Sequence, residues 1–192
     1  ARQNDYFLLL GSTSNRFENE KEIIRSFVAK NVDGLIISPG NYYDESLYEE
    51  IVADIKRRNI PFLFANLSFP GIKSSYVVPD LEEGEYHATR HLLENGFKDL
   101  AFVGGSRSHY YSEIRYKGFL RALAEFRAGF GEGRYIECGA NYTFDEGYEA
   151  VKEYLERFGL PEAFVAVNDS VAYGIIKALK ETGLNVPEDV SV

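Results

Sequence analysis

Methionine and tryptophan are absent from the 192-residue sequence, and cysteine occurs once, at Cys138. A single cysteine excludes an internal disulfide and any zinc site that needs several cysteine ligands. No run approaches the roughly 20 apolar residues that a membrane-spanning helix requires. The sequence also lacks a cationic start followed by an apolar segment, which is the pattern of a signal peptide. Because methionine is missing, we do not expect Ala1 to be a translation start, and we expect either a fragment or a processed form of a protein.

Positive charge is also scarce, with 21 Lys and Arg against 30 Asp and Glu and a formal net charge of −9. An acidic surface repels phosphate backbones, so these residues are poor candidates for binding nucleic acid themselves. The hydrophobic share of 45% and the charged share of 27% are ordinary for a globular protein. A chain of this length can bury a real core as one large domain or as two small ones.

Short apolar runs alternate with amphipathic segments along the whole chain. Strands that are apolar almost throughout, when they alternate with helices, are typical of parallel sheets covered by helices on both faces. We therefore predict an α/β fold. The predicted strands are 6–11, 34–38, 62–65, 76–78, 100–103, 135–138, 164–167 and the start of another at 190–192, and the predicted helices are 18–30, 44–58, 83–94, 112–126, 145–158 and 170–182.

The sharpest candidate boundary is at residues 95–99, where one helix ends and a new series of strands begins. We predict an N-terminal lobe over residues 1–96 and a C-terminal lobe over residues 97–192, each built on a doubly wound parallel sheet. In open α/β sheets, ligands bind outside the carboxyl ends of the strands. We therefore expect a ligand in a cleft between the two lobes.

Arg115 lies in the first turns of a predicted helix that follows the apolar run 100–105. The arginine is thereby placed near the carboxyl end of a strand, the edge where ligands bind. Its planar guanidinium offers a fork of donors to a hydroxylated or anionic ligand. The alternative is an ordinary solvated arginine on a helix surface.

Six short sequence motifs follow one another along the chain. They are Val32-Asp-Gly-Leu-Ile-Ile-Ser-Pro39; Asp80-x3-Gly84; His91-Leu-Leu-x2-Gly96-Phe97 leading into Leu100-Ala-Phe-Val-Gly104; Arg115-x2-Gly118-Phe119-x2-Ala122-Leu123; Val167-Asn-Asp-x2-Ala172-x-Gly174; and Val186-Pro-Glu-Asp-Val-Ser-Val192. In this order they resemble the sugar-binding core of the LacI/GalR family of bacterial transcription regulators. The resemblance implies a periplasmic-binding-protein-like fold of type I, truncated at both ends, which lacks the first strand and helix of one lobe and part of the last strand of the other.

The resemblance also implies which residues bind the effector. Arg115 corresponds to the arginine that grips it, while Asn168 and Asp169 correspond to an amide and a carboxylate that meet ligand hydroxyls. Tyr142 corresponds to an aromatic residue that stacks on the ligand. Planar polar groups can meet vicinal hydroxyls while an aromatic ring covers a sugar face, so this chemistry suits a sugar.

Four further residues have a less direct correspondence. His109 and Tyr111 fall at the variable loop positions before the arginine, where selectivity is set. Asp80 and Glu83 form an acidic pair before Gly84, which contributes from the first lobe in some family members.

Most of these residues also have a structural alternative. Asn168 and Asp169 could simply cap a helix, and Tyr142 could be one of the 14 tyrosines that cover surface. His109 could be a solvated loop residue, and Asp80 could be a turn residue after Pro79. Glu83 could be an acidic residue in a first helical turn, where the helix dipole favours an acid.

The function implied is effector sensing by a cytoplasmic DNA-binding regulator without cofactor, metal or membrane contact. Operator DNA would be bound through a helix-turn-helix domain absent from this chain, and the partner would be a second copy in a homodimer. Gly174, Ile175 and Ala178 lie where a dimer seam is expected, or equally in the intramolecular core. The alternative function is a periplasmic sugar-binding protein of a transport system, which shares the fold and much of the pocket.

Enzymatic function is not expected. His87 and His91 have the spacing of a helical metal pair, but no glutamate general base lies between them, and an arginine does. The sequence holds no phosphate-binding loop and no nucleophile elbow. It provides no evident set of nucleophile, base and oxyanion donors, so we assign no catalytic residue.

Overall fold

The computed structural model describes residues 5–14, 16–40, 44–129 and 134–192. The backbone forms two compact units, Ala1–Pro79 (unit 1) and Asp80–Val192 (unit 2). Each unit contains a three-stranded parallel sheet accompanied by helices, which confirms the predicted α/β class. No described helix has the length and apolar character required to cross a bilayer.

Unit 1 has the strand order β1-β2-β3, and its strands are β1 (Leu35–Ile37), β2 (Phe62–Ala65) and β3 (Ser75–Val77). Its helices are α1 (Phe17–Ala29) and α2 (Ser46–Arg57). The core centres on the buried ring of Tyr48, which lies 5.5 Å from the ring of Phe64 and 4.7 Å from that of Phe69. Aromatic packing from helix, strand and loop therefore consolidates this unit.

The predicted strand at residues 6–11 is wrong. No ladder partner for this segment occurs in the described part of the chain, and the side chain of Phe7 is 97% exposed. Apolar content favours a strand, but a strand forms only where a neighbour accepts and donates its backbone hydrogen bonds. Apolar side chains are also exposed on the strands themselves, since Ile36 is 75% exposed in β1 and Val77 is 68% exposed in β3.

Unit 2 has the strand order β5-β4-β6. Its elements are α3 (Leu81–Glu94), β4 (Leu100–Gly104), α4 (Tyr110–Glu125), β5 (Tyr135–Glu137), α5 (Phe144–Phe158), β6 (Ala163–Ala166) and α6 (Asp169–Glu181). The central strand β4 is buried at every residue. Ser191 forms a parallel bridge with Ala163, so the closing residues begin a further strand position beside β6, as predicted.

The division between the units differs from the predicted boundary at residues 96 and 97. It falls between Pro79 and Asp80, and α3 packs on α4 within unit 2. The contact is so close that a Cβ at Gly118 would lie 2.1 Å from the backbone oxygen of Glu82. Asp80 and Glu83, expected from the first lobe, therefore belong to unit 2.

Helices α5 and α6 make a second close crossing in unit 2. A Cβ at Gly174 would lie 2.2 Å from the backbone oxygen of Phe144. Ile175 and Ala178 are 0% and 2% exposed within the hydrophobic core of the unit. Of the two roles considered for these residues, the structure supports intramolecular packing.

Candidate functional site

The carboxyl edge of the unit 2 sheet is the candidate site. The chain passes from β4 to β5 on one side and then crosses to β6 on the other. Connections that leave neighbouring strands in opposite directions open a crevice at this edge, which is where open α/β sheets bind ligands. The segments that follow the three strands carry His109, Tyr142 and Asn168.

Tyr142 ties these segments together. Its hydroxyl lies 2.9 Å from the hydroxyl of Ser112 on α4, and its backbone oxygen accepts a hydrogen bond of 3.1 Å from the side-chain amide of Asn168. The tyrosine adopts a left-handed conformation with φ of 55°. A non-glycine residue pays a steric cost there and persists in it when its surroundings hold it. The segments after all three strands therefore share one hydrogen-bonded arrangement.

Arg115 projects from the second turn of α4 and is half-buried. Its Nη1 donates a hydrogen bond of 3.4 Å to the backbone oxygen of Tyr111. Burial lowers the pKa of the guanidinium, while Glu85, Tyr142 and Tyr111 act in the opposite direction. These opposing effects place Arg115 within electrostatic range of two predicted site residues and of one acid that the sequence did not single out.

Asn168 has the capping role that was its structural alternative. Its Oδ1 accepts a hydrogen bond of 2.9 Å from the backbone of Val171, and it is the N-cap of α6. Its side-chain nitrogen faces the loop of Tyr142. Asp169 is the first residue of α6 and is exposed at the same sheet edge. A cap in this position leaves both residues beside the crevice.

His109 and Tyr111 flank the start of α4. The Nδ1 of His109 is buried and has no hydrogen-bond partner among the described residues. Burial raises the pKa of the half-buried Tyr111 phenol, which therefore remains neutral at physiological pH. An unpaired buried ring nitrogen is a polar group that a ligand can satisfy.

Asp80 and Glu83 are not brought to Arg115. Asp80 is the N-cap of α3 and accepts a hydrogen bond of 3.0 Å from the backbone nitrogen of Glu83. The carboxylate of Glu83 pairs with Arg121 and lies 3.1 Å from Nε2 of His87. The structure thus assigns these acids to helix capping and surface ion pairs. The described residues contain no group of three or more potential metal ligands.

Glu85 and Thr89 were missed by the sequence analysis. Glu85 is 7% exposed and Thr89 is fully buried, both on the face of α3 that also buries Leu93. Burial raises the pKa of Glu85 to about 7, and Arg115 opposes that increase. A signal was available in the sequence, since positions 85, 89 and 93 follow helical spacing and two of them are polar.

Unit 1 has a smaller polar group at the carboxyl ends of its own strands. Asn66 follows β2 with a left-handed φ of 70°, and its side-chain nitrogen donates a hydrogen bond of 3.0 Å to the hydroxyl of Ser38 after β1. Polar residues immediately after two apolar strands were a usable sequence signal. The pair was not predicted.

A family model described as a periplasmic binding protein-like domain matches residues 89–192, which is more than half of the chain. The match includes every predicted site residue except Asp80 and Glu83. The chain therefore belongs to the periplasmic binding protein-like domain family.

Named relatives refine this assignment. The chain is 32% identical over 190 residues to the HTH-type transcriptional repressor PurR of Actinobacillus pleuropneumoniae serotype 3 (strain JL03), covering 99% of this chain and 54% of that protein. It is 30% identical over 197 residues to catabolite control protein A of Priestia megaterium, covering 100% of this chain and 56% of that protein. The chain thus spans about half the length of these relatives.

Solved structures agree. A LacI-family sugar-binding transcriptional regulator from Escherichia coli, complexed with phosphate, has a TM-score of 0.79 and 29% identity, covering 100% of this chain and 66% of that one. The transcription regulator CcpA of Lactococcus lactis has a TM-score of 0.78 and 27% identity, covering 98% of this chain and 66% of that one. These matches confirm the resemblance to the effector-binding core of LacI/GalR regulators.

Proposed function

We propose that this chain is the effector-sensing part of a LacI-type transcription regulator and that it binds a small sugar at the carboxyl edge of the unit 2 sheet. Effector binding changes the affinity of the regulator for operator DNA, which a homodimer reads through helix-turn-helix domains outside these 192 residues. We assign the regulator to the cytoplasm, with no cofactor, metal or catalytic residue.

The observation that carries the proposal is the convergence of three loops beside Arg115. Tyr142 bonds to both Ser112 and Asn168, and Arg115 lies within electrostatic range of Tyr142 and Tyr111. A guanidinium fork, an amide, a carboxylate and aromatic rings are thereby presented at one edge of one sheet. Such a set can meet vicinal hydroxyls and cover an apolar sugar face.

Two other functions were considered. A periplasmic sugar-binding protein would use a similar pocket, but the PurR relative and the two solved structures reported above are named as transcriptional regulators, which favours sensing over transport. Catalysis would need a positioned nucleophile or general base. Burial raises the pKa of the Glu85 carboxyl to about 7, but this acid is buried between helices rather than open at the sheet edge.

A thermal-shift screen of the intact protein tests the proposal. The panel contains pentoses, hexoses, their phosphates and purines. A ligand present at about 100 times its Kd should stabilise the protein by about 2.7 kcal/mol. We expect a neutral sugar to raise the Tm of the wild type, and we expect Arg115→Ala to lose that response.

Arg121→Ala is the matched control, because Arg121 lies on the same helix but pairs with Glu82 and Glu83. It should keep the wild-type response. A sugar response that survives Arg115→Ala would contradict the assigned site, and a panel without any response would contradict sugar sensing.

A further inference from the structure

Glu85 is an acid enclosed between two helices. Its side chain is 7% exposed, and its Oε1 has no hydrogen-bond partner among the described residues. The hydroxyl of Thr89, one turn later on α3, is also buried without a partner in that part of the chain. A buried carboxylate is costly unless it becomes protonated or lies near a compensating cation.

The close approach of α3 and α4 brings a cation to this acid. Gly118 permits the approach, because any side chain there would meet the backbone of Glu82. Arg115 lies one turn before Gly118 on α4 and interacts electrostatically with Glu85. The two side chains form no direct ion pair in the described part of the chain, so their charges interact over a longer distance.

Arg115 also has few competing partners. The hydrogen bond described for its guanidinium is the long one of 3.4 Å to the backbone of Tyr111. By contrast, Arg121 on the same helix is held by Glu82 and by Glu83. The acid that interacts electrostatically with Arg115 is the buried Glu85.

We infer that Glu85 is the counter-charge of Arg115 and that it makes the site prefer uncharged, hydroxyl-bearing ligands over anionic ones. The inference rests on the proposed function, because it takes Arg115 as a ligand-binding residue. An ionised Glu85 compensates the guanidinium charge while leaving its N–H donors available. An anion then meets a site close to neutral, whereas a sugar hydroxyl still finds donors.

The inference carries a pH dependence. Helix α3 packs on α4 and β6; α4 presents Arg115 to Glu85, and β6 (Ala163–Ala166) has no titratable side chain. Tyr111 stays neutral because burial raises its pKa. As pH falls through about 7, Glu85 takes up a proton and Arg115 loses its counter-charge. Anion binding should therefore strengthen at acidic pH.

Titration calorimetry with inorganic sulfate tests the charge preference, because sulfate keeps its charge across the relevant pH range. At about pH 8.5 we expect Glu85→Gln to bind sulfate about tenfold more tightly than the wild type, the scale of one like charge removed near a bound anion. At about pH 5.5 the two proteins should bind sulfate alike, since the wild-type acid is then protonated. Neutral pentoses and hexoses should change less than about twofold.

Glu94→Gln is the matched control, since Glu94 lies at the end of the same helix and pairs with Arg90. It removes the same charge and should leave sulfate binding unchanged. Equal gains in the two variants would overturn the inference, as would a Glu85→Gln protein that binds sulfate no better than the wild type at the higher pH.

A second measurement needs no ligand. The carboxyl ¹³C resonance of Glu85 reports its titration, and Arg115→Gln should raise the pKa by about one unit, whereas Arg121→Gln should not. An unchanged titration in Arg115→Gln would refute the pairing. If the pairing holds but neutral sugars fail to bind while sulfate binds, the sugar proposal and the charge preference both fail, and only the pairing of Glu85 with Arg115 stands.

Discussion

The two units share an architecture of a parallel sheet with helices, but they differ in how fully the strands are buried and how the helices are capped. In unit 2 the central strand β4 is buried at every residue, whereas in unit 1 the middle residue of β1, Ile36, is 75% exposed. Helix starts differ in the same direction. Side chains cap α3, α5 and α6 in unit 2, although not α4, whereas the residues before α1 and α2 in unit 1 make no side-chain cap hydrogen bond.

This difference indicates that unit 2 is the unit that can hold the side chains of a site in fixed positions. A loop that enters a helix capped by a side chain has a fixed end, so its side chains occupy defined positions. In unit 2 the loops after β5 and β6 enter the capped helices α5 and α6, and Tyr142 lies in the first of these loops. Unit 1 presents only a smaller hydrogen-bonded pair, Asn66 and Ser38, at the corresponding strand ends of the described residues. The two edges are therefore not equivalent.

The largest expected contrast is in the cores. Phe102 in β4 is completely buried, and Phe102→Ala should cost about 3–5 kcal/mol in the free energy of unfolding. Ile36→Ala should change it by no more than about 0.5 kcal/mol, because the side chain is mostly exposed already. Urea denaturation followed by circular dichroism measures both. Comparable losses would remove the distinction between the two sheets.

The next contrast depends on pH. Burial raises the pKa of Glu85 from 4.5 to about 7, so the unfolded chain releases the proton first and stability falls as pH rises between these values. The loss should reach at most about 3 kcal/mol above pH 7. Glu85→Gln should remove this part of the decline, as measured by urea denaturation at about pH 4.5 and pH 8. A decline of the same size in the variant would show that Glu85 is not its source.

The smallest contrast concerns helix starts. Thr143 and Glu146 form a reciprocal capping box at α5, and Thr143→Ala should cost about 1 kcal/mol. Arg16 occupies the same position before α1 but makes no cap bond, so Arg16→Ala should cost less than half as much. The midpoint of urea unfolding compares them. A larger loss at Arg16 would reverse the expected order.

Periodicity and turn residues predicted most of the fold. Most helices and strands lie within a few residues of the predicted positions, and the glycines that follow two of the helices, Gly96 and Gly159, have positive φ. These features depend on neighbours in sequence. The strand predicted over residues 6–11 is wrong because strand formation depends on a partner. The division at Pro79 differs from the predicted boundary, since only the packed structure reveals how closely Gly118 allows α3 to approach.

The positions of the candidate site residues were partly predictable, and their role in ligand binding stays a prediction. Arg115, Tyr142 and Asn168 follow from their positions after strands and from the family resemblance. The direct hydrogen bond between Ser112 and Tyr142 joins residues far apart in sequence, so no local sequence pattern predicts it. The burial of Glu85 was not predicted because an acid on a helix is ordinarily solvated. That burial depends on a second helix.

Tyr142 has a consequence for the thermodynamics of recognition. Its hydroxyl and its backbone oxygen hold the segments after β4, β5 and β6 together before any ligand arrives. Ordering loops during association consumes conformational entropy and weakens affinity. Because that ordering is already accomplished within the folded chain, a small molecule at the proposed site would not bear this cost. Tyr142→Phe would keep the ring but release one of the two ties.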